Sequence, residues 1–145
     1  MTRLTDLARD LDTSGRTLRR YVAGGVVRAE RPSPRRVVVS DDERSYLKGH
    51  WTLISGLMEA LRTERNVRTA VFFGALAEGT GTTKSAVHLA VRLGRDTAGA
   101  RHALTARVEG HTGRRVEVSS FASASRDEGV GRVLIDRDGE VSPHR

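Results

Sequence analysis

Two groups of side chains in this 145-residue chain have types and spacing that suit chemistry. The first lies in GALAEGTGTTKSAVHL, residues 74 to 89. It follows the apolar run Ala70-Val71-Phe72-Phe73 and leads into an alternating segment, so Gly74 and Gly79 punctuate a loop between two buried strands. Loops of this kind turn backbone N–H groups toward a phosphate. Where a phosphate-transfer site would carry acids, this chain has Ala86 and His88, two residues apart and so on one face of a strand. The second group is a run of cations. Between Ser14 and Ser40 stand seven arginines, Arg16, Arg19, Arg20, Arg28, Arg31, Arg35 and Arg36, against one acid, Glu30. The planar guanidinium forks onto phosphate oxygens and guanine edges, so the segment suits nucleic acid. The chain carries a formal +7, from 25 Lys+Arg and 18 Asp+Glu, and most of that excess sits here. Lysine is scarce (only Lys48 and Lys84), which a GC-rich genome explains equally well; where the charge lies is more telling than the ratio.

The elements that must hold these arginines are legible from periodicity. Leu4, Leu7, Ala8 and Leu11 recur at i, i+3, i+4 and i+7, one face of a helix. Asp12-Thr13 interrupts the pattern, and Ser14 is suited to cap a second helix whose inward residues are Leu18, Tyr21 and Val22. Arg16, Thr17, Arg19 and Arg20 then face outward. Two short helices with a tight turn between them read as a helix-turn-helix whose recognition helix carries those four residues. Gly24-Gly25 ends that helix, and Val26-Val27 and Val37-Val38-Val39 read as the strands of a hairpin. Pro32 and Pro34 stiffen its tip, which bears Arg31, Arg35 and Arg36 and would make the unit winged, with these three on the phosphate backbone. Ser40-Asp41-Asp42-Glu43 reads as a capping box opening a long helix striped by Leu47, His50, Trp51, Ile54, Leu57, Met58 and Leu61. His50 is expected as a packed histidine rather than a ligand, and Gly49 and Gly56 are expected to gain compensation from close neighbours. Residues 62 to 66 form the junction to the second half.

That half reads as strand Val67 to Phe73, strand Val87 to Leu93, a helix between Thr97 and Gly110 with Ala100, Ala103, Leu104 and Val108 at helical spacing, and short strands Val116-Glu117-Val118 and Val133-Leu134-Ile135. Within it, Gly74-Ala75, Gly79 and Ser85-Ala86-Val87-His88-Leu89 share the spacing of a Gly-Ser, Gly, Ser-Asp-x-Asp-Leu signature. The half resembles the minimal nucleotidyltransferase family of the polymerase-β-like superfamily, and its flanks NVRTAVFFG, GRRVEV and GRVLIDRDGE are similar too. The first half resembles small helix-turn-helix domains fused in front of such transferases. The expected fold class is α+β: a (winged) helix-turn-helix at residues 1–40, a connecting helix and junction at 41–66, and a degenerate nucleotidyltransferase-like α/β domain at 67–145.

In the family, the Ser of Gly-Ser contacts the nucleotide phosphates, and two aspartates with a third carboxylate hold divalent metal ions. Carried onto this chain, the Ser position is Ala75, the two Asp positions are Ala86 and His88, and the third acid aligns with Glu117. Ala86 offers no ligand, and His88 offers a nitrogen that Mg²⁺ binds poorly. The expectation is a pseudoenzyme with no catalytic residues, metal or cofactor. The Gly74–Gly79 loop would then sense a nucleotide through its backbone, or the domain would serve as a dimerisation platform. Family relatives that act as antitoxins against helical toxin proteins imply a further partner class. His88, His102 and His111 share no zinc-binding spacing, and no nucleophile-elbow pattern supports a hydrolase.

The primary expectation is therefore a transcriptional regulator that binds double-stranded DNA as a homodimer. The alternatives are a divergent, active nucleotidyltransferase using Glu117 and His88 with an unusual metal, or an antitoxin-like module for a helical partner. The absence of Cys excludes disulfides and thiolate zinc sites. No apolar stretch approaches the roughly 18 residues of a membrane span, and no signal peptide is evident in the first 25 residues, so a cytoplasmic location is expected. Residues 120 to 132, SFASASRDEGVGR, read as a loop where the family has a helix, and the terminal SPHR reads as frayed.

Overall fold

The computed structural model describes residues 1–121 and 131–139; the expectations for the core of the 120–132 loop and for the terminal SPHR lie outside them. Among the described residues the chain is mixed α+β, with five helices and two sheets. Helix α1 (Leu4–Leu11) buries Leu4, Leu7, Ala8 and Leu11, the stripe read from periodicity. It stops at Asp12, whose φ of 53° is left-handed, a conformation that Asp tolerates better than most residues. Helix α2 (Gly15–Gly24) is capped by Ser14, whose Oγ accepts from the Thr17 amide at 3.0 Å, and it buries Leu18, Tyr21 and Val22. Gly25, at φ 97°, closes its C-terminus where a side chain would be strained.

Val26 and Val27 do not form the expected strand. The amides of Gly25, Val26 and Val27 all converge on the Tyr21 carbonyl, and this closing turn of the helix sends both valines into the core at 2% exposure. The first hairpin strand comes later, as β2 (Glu30–Ser33), pairing antiparallel with β3 (Arg36–Val39) around Pro34-Arg35. A two-residue strand β1 (Thr2–Arg3) pairs with the other edge of β3, giving the sheet order β1-β3-β2. Two residues are too short to show any alternation, so this strand has no sequence signal.

Helix α3 (Asp41–Arg62) starts at Ser40, whose Oγ accepts from the Glu43 amide at 3.1 Å. It buries Leu47, Ile54, Leu57 and Leu61 as expected, with Leu53 and Ala60 added, while His50, Trp51 and Met58 are half-buried. His50 is indeed packed: its ring stacks on Tyr46 at 4.1 Å and Nδ1 donates to the Tyr46 carbonyl at 2.8 Å. A Cβ on Gly56 would sit 3.2 Å from the His111 carbonyl, so that glycine lets α3 approach helix α5 (Ala98–Thr112) closely. Gly49 has no such neighbour and its cost is left uncompensated. Helix α5 runs through Gly110 and ends at Gly113, φ 67°, and Ala103 faces solvent while Leu104 and Val108 are buried.

The second sheet comprises β4 (Val67–Phe73), β5 (Val87–Leu93), β6 (Val116–Ser120) and β7 (Arg132–Asp136), in the order β6-β5-β4-β7. β4 runs antiparallel to both neighbours, and β5 pairs parallel with β6. A one-turn helix α4 (Ala75–Glu78) lies between β4 and β5. The buried apolar residues form one continuous cluster from Leu4 through α2 and α3 to Leu134. No helix among the described residues is long and apolar enough to cross a membrane.

Candidate functional site

The cations of the first half do not act as one surface. Arg16, Arg19, Arg20, Arg31, Arg35 and Arg36 are all exposed. Arg19 of α2 meets Arg35 and Arg36 of the hairpin across a cleft of about 420 Å³, with Leu4, Thr5 and Val37 between them. Arg3, on β1, lines the same cleft and was missed by the sequence reading. It reaches the cleft because β1 pairs Arg3 opposite Val38. Among the described residues no carboxylate lies within ion-pair reach of Arg3, Arg16, Arg19, Arg31, Arg35 or Arg36. Like charges crowded without counter-charge repel, and an anionic ligand relieves that repulsion.

Three residues of the basic set are used differently. Thr17 is half-buried and its Oγ accepts from Ser14 Oγ at 2.9 Å, so its hydroxyl belongs to the helix cap. Arg20 lies over the Tyr21 ring at 5.7 Å and lines a different cleft, between α2, α3 and β7. Arg28, counted in the basic run, is paired: Nη2 donates to Glu78 Oε1 at 2.9 Å, and that hydrogen bond holds its guanidinium above the ordinary arginine pKa.

The glycine loop has the predicted shape but is turned inward. Gly74 (φ 85°, ψ −167°) and Gly79 (φ 83°) both use backbone that favours glycine. The Glu78 amide donates to the Gly74 carbonyl, and those of Gly79, Thr80 and Gly81 donate to Ala75. These four donors are therefore engaged within the loop; the amides of Ala75, Leu76 and Ala77, at the start of α4, are not among them. Ser85 likewise turns inward, its Oγ accepting from the Thr82 amide at 2.9 Å. Ala75 is exposed, and Ala86 is buried at the entry to β5.

His88 and Glu117 do come together. They are direct partners across the β5–β6 pair, with Nδ1 3.3 Å from Oε2 and side chains 37% and 58% exposed. Phe73 flanks His88 from β4 at 5.6 Å between ring centroids. The imidazole covers Gly74, where a Cβ would lie 3.1 Å from His88 Cδ2. One carboxylate and one imidazole, on a wet sheet face, do not fit a pair of hard divalent ions. Among the described residues no group of three or more His, Asp or Glu side chains could hold a metal ion.

The most constrained charged group is one the sequence reading did not single out. Arg132, at 2% exposure, forms a bidentate pair with Glu43, Nη1–Oε2 at 2.6 Å and Nη2–Oε1 at 2.8 Å. Its remaining donors reach the Val26 carbonyl at 2.9 Å and the Ala77 carbonyl at 3.2 Å, and its guanidinium lies 3.9 Å from the Tyr46 ring centroid. Glu43 Oε2 also accepts from the Arg28 amide at 2.8 Å. The acid that reads as the far member of a capping box is thus turned inward to a buried cation. Tyr46 donates to the Leu76 carbonyl at 2.9 Å, and burial pushes its hydroxyl pKa up to about 12. This cluster joins the end of α2, the start of α3, α4 and β7. Comparison of the chain with protein-family models, curated proteins and solved structures found no match.

Proposed function

We propose that this protein is a DNA-binding transcriptional regulator: a winged helix-turn-helix, made of α1, α2 and the β2–β3 hairpin, fused to a catalytically inactive nucleotidyltransferase-like domain. The observation that supports this best is the cleft in which Arg3, Arg19, Arg35 and Arg36 converge with no acid among the described residues. Helix α2 enters the major groove with Arg16 and Arg19 forward, and the hairpin arginines contact the backbone. A single unit of this size reads only a few base pairs, so two copies bind an inverted repeat.

The inactivity rests on the exchange of metal-holding acids for Ala86 and His88. With the amides of Glu78 to Gly81 engaged internally, the domain acts as a scaffold for the DNA-binding half, and any nucleotide sensing falls to the remaining amides of the Gly74–Gly79 loop. The test is a gel-shift with the DNA upstream of the protein's own gene, across a salt series and with nonspecific competitor. A band that survives competitor and is lost in Arg19→Ala/Arg35→Ala supports the reading. Binding that vanishes at modest salt overturns it, leaving only a basic surface. The contact of His88 with Glu117 favours one further reading, a divergent transferase. Label transfer from a nucleoside triphosphate with Mg²⁺ or Mn²⁺, lost in His88→Ala, would establish it; no transfer is expected.

A further inference from the structure

We propose that the cleft between α2, the second half of α3 and β7 binds a small amphipathic monoanion, an aryl or acyl body with a single negative charge. The cleft has a volume of about 440 Å³, within the range of small-ligand sites. Its apolar floor comes from Tyr21, Val26, Met58, Leu134 and Ile135, contributed by three elements.

The charges around that floor specify the ligand. Arg62 is 3.6 Å from Glu59, and Arg137 directs its guanidinium at the carbonyls of Arg62 and Glu64, both at 2.9 Å. Asp136 is also engaged. Arg20 is different: it lines the cleft with no ion-pair partner among the described residues, its guanidinium over the Tyr21 ring. Three arginines against Glu59 and Asp136 leave the lining with one net positive charge, and Arg20 is the cation spent neither on a carboxylate nor on carbonyls, so the cleft matches one negative charge on an apolar body. A polyanion such as a nucleoside triphosphate would leave charge unmatched and meet Glu59 and Asp136 on the rim. The site stands whether or not α2 binds DNA.

The chain contains a single tryptophan, Trp51, whose ring lies 5.7 Å from that of Tyr21 and so reports on the cleft. The full-length protein is titrated with anilinonaphthalene sulfonate, an aromatic monoanion, and with its neutral counterpart phenylnaphthylamine. The readouts are Trp51 emission and amide NMR shifts. The expected result is saturable quenching by one equivalent of the sulfonate, with shifts centred on Gly24, Ser55 and Leu134. Arg20→Gln should weaken the sulfonate about tenfold and leave the neutral probe unchanged. Gly24 lies in a helix where an added Cβ meets nothing within 4 Å, so Gly24→Leu preserves the fold, fills part of the cleft and weakens both probes. Equal sulfonate affinity in wild type and Arg20→Gln would overturn the proposal, as would shifts confined to other surfaces or quenching that never saturates.

Discussion

Two sets of arginines do opposite work in this molecule. Arg132 is enclosed, with its donors spent on Glu43 and on the carbonyls of Val26 and Ala77. Arg3, Arg19, Arg35 and Arg36 line an open cleft and face no acid among the described residues. The same side chain is a fastener in one place and an unsatisfied charge in the other. The difference lies in what the neighbouring backbone brings to it. Around Arg132, carboxylate and aromatic face arrive from α3 and carbonyls from α4 and the turn after α2, so Nε, Nη1 and Nη2 of the buried charge are all hydrogen-bonded. In the cleft, helix α2 and two strands bring only more arginine. Exposed cations of that kind contribute little to stability and are available to a ligand. Arg28 and Arg20, inside the same basic run, show that sequence proximity does not decide membership.

The contrast can be broken most directly at the buried pair. Arg132→Leu leaves Glu43 buried without its cation and should cost about 3–5 kcal/mol of stability by denaturant unfolding. Restoring much of that loss in Arg132→Leu/Glu43→Leu would separate the penalty of an orphaned charge from the worth of the pair. Next comes Gly131, which positions β7 beside β4. A Cβ there would collide with Val71 Cγ1 and lie 3.0 Å from the Phe72 carbonyl. Gly131→Ala should therefore cost about 1–3 kcal/mol, read by the same unfolding curves.

The cleft arginines should give the reverse result. Arg19→Ala should weaken operator binding by about 1–3 kcal/mol if the residue reads a base, while stability stays within about 0.5 kcal/mol of wild type. A loss of stability instead would show that the cleft arginines are structural and would erase the distinction between the two sets.

The last test is a pH dependence, confined to strongly alkaline solution. The Tyr46 hydroxyl is raised from 10.0 to about 12 in the folded protein, chiefly by burial. The folded state therefore holds this proton more tightly, so the contribution is fully present below pH 10 and is lost as pH rises toward 12. Unfolding midpoints should fall over that interval in the wild type. The fall should be shallower in Tyr46→Phe, which starts lower for want of the bond to Leu76.

Most elements were legible because their signals are local. The Leu4–Leu11 stripe, the Ser14 and Ser40 caps and the Gly25 stop each involve residues within seven positions of one another, and each is found as read. Where reading failed, a longer-range effect prevailed. Val26-Val27 has strand composition, but the Tyr21 carbonyl gathers its amides and the core takes its side chains. Strand β1 exists only because β3 has an edge to offer. The glycine loop kept its predicted backbone, and which of its amides turn to its own carbonyls (those of Glu78 to Gly81) is not stated by spacing.

The amino-acid sequence alone therefore determined the helices, most strands and the basic character of the first half, and it set Ala86 and His88 at the start of β5. It also brought His88 and Glu117 into correspondence. Tertiary structure alone decided which arginines are free. Arg132 meets Glu43 across 89 residues and Arg28 meets Glu78 across 50. A guanidinium carries the same charge in every sequence window; only folding supplies, or withholds, the carboxylate that occupies it.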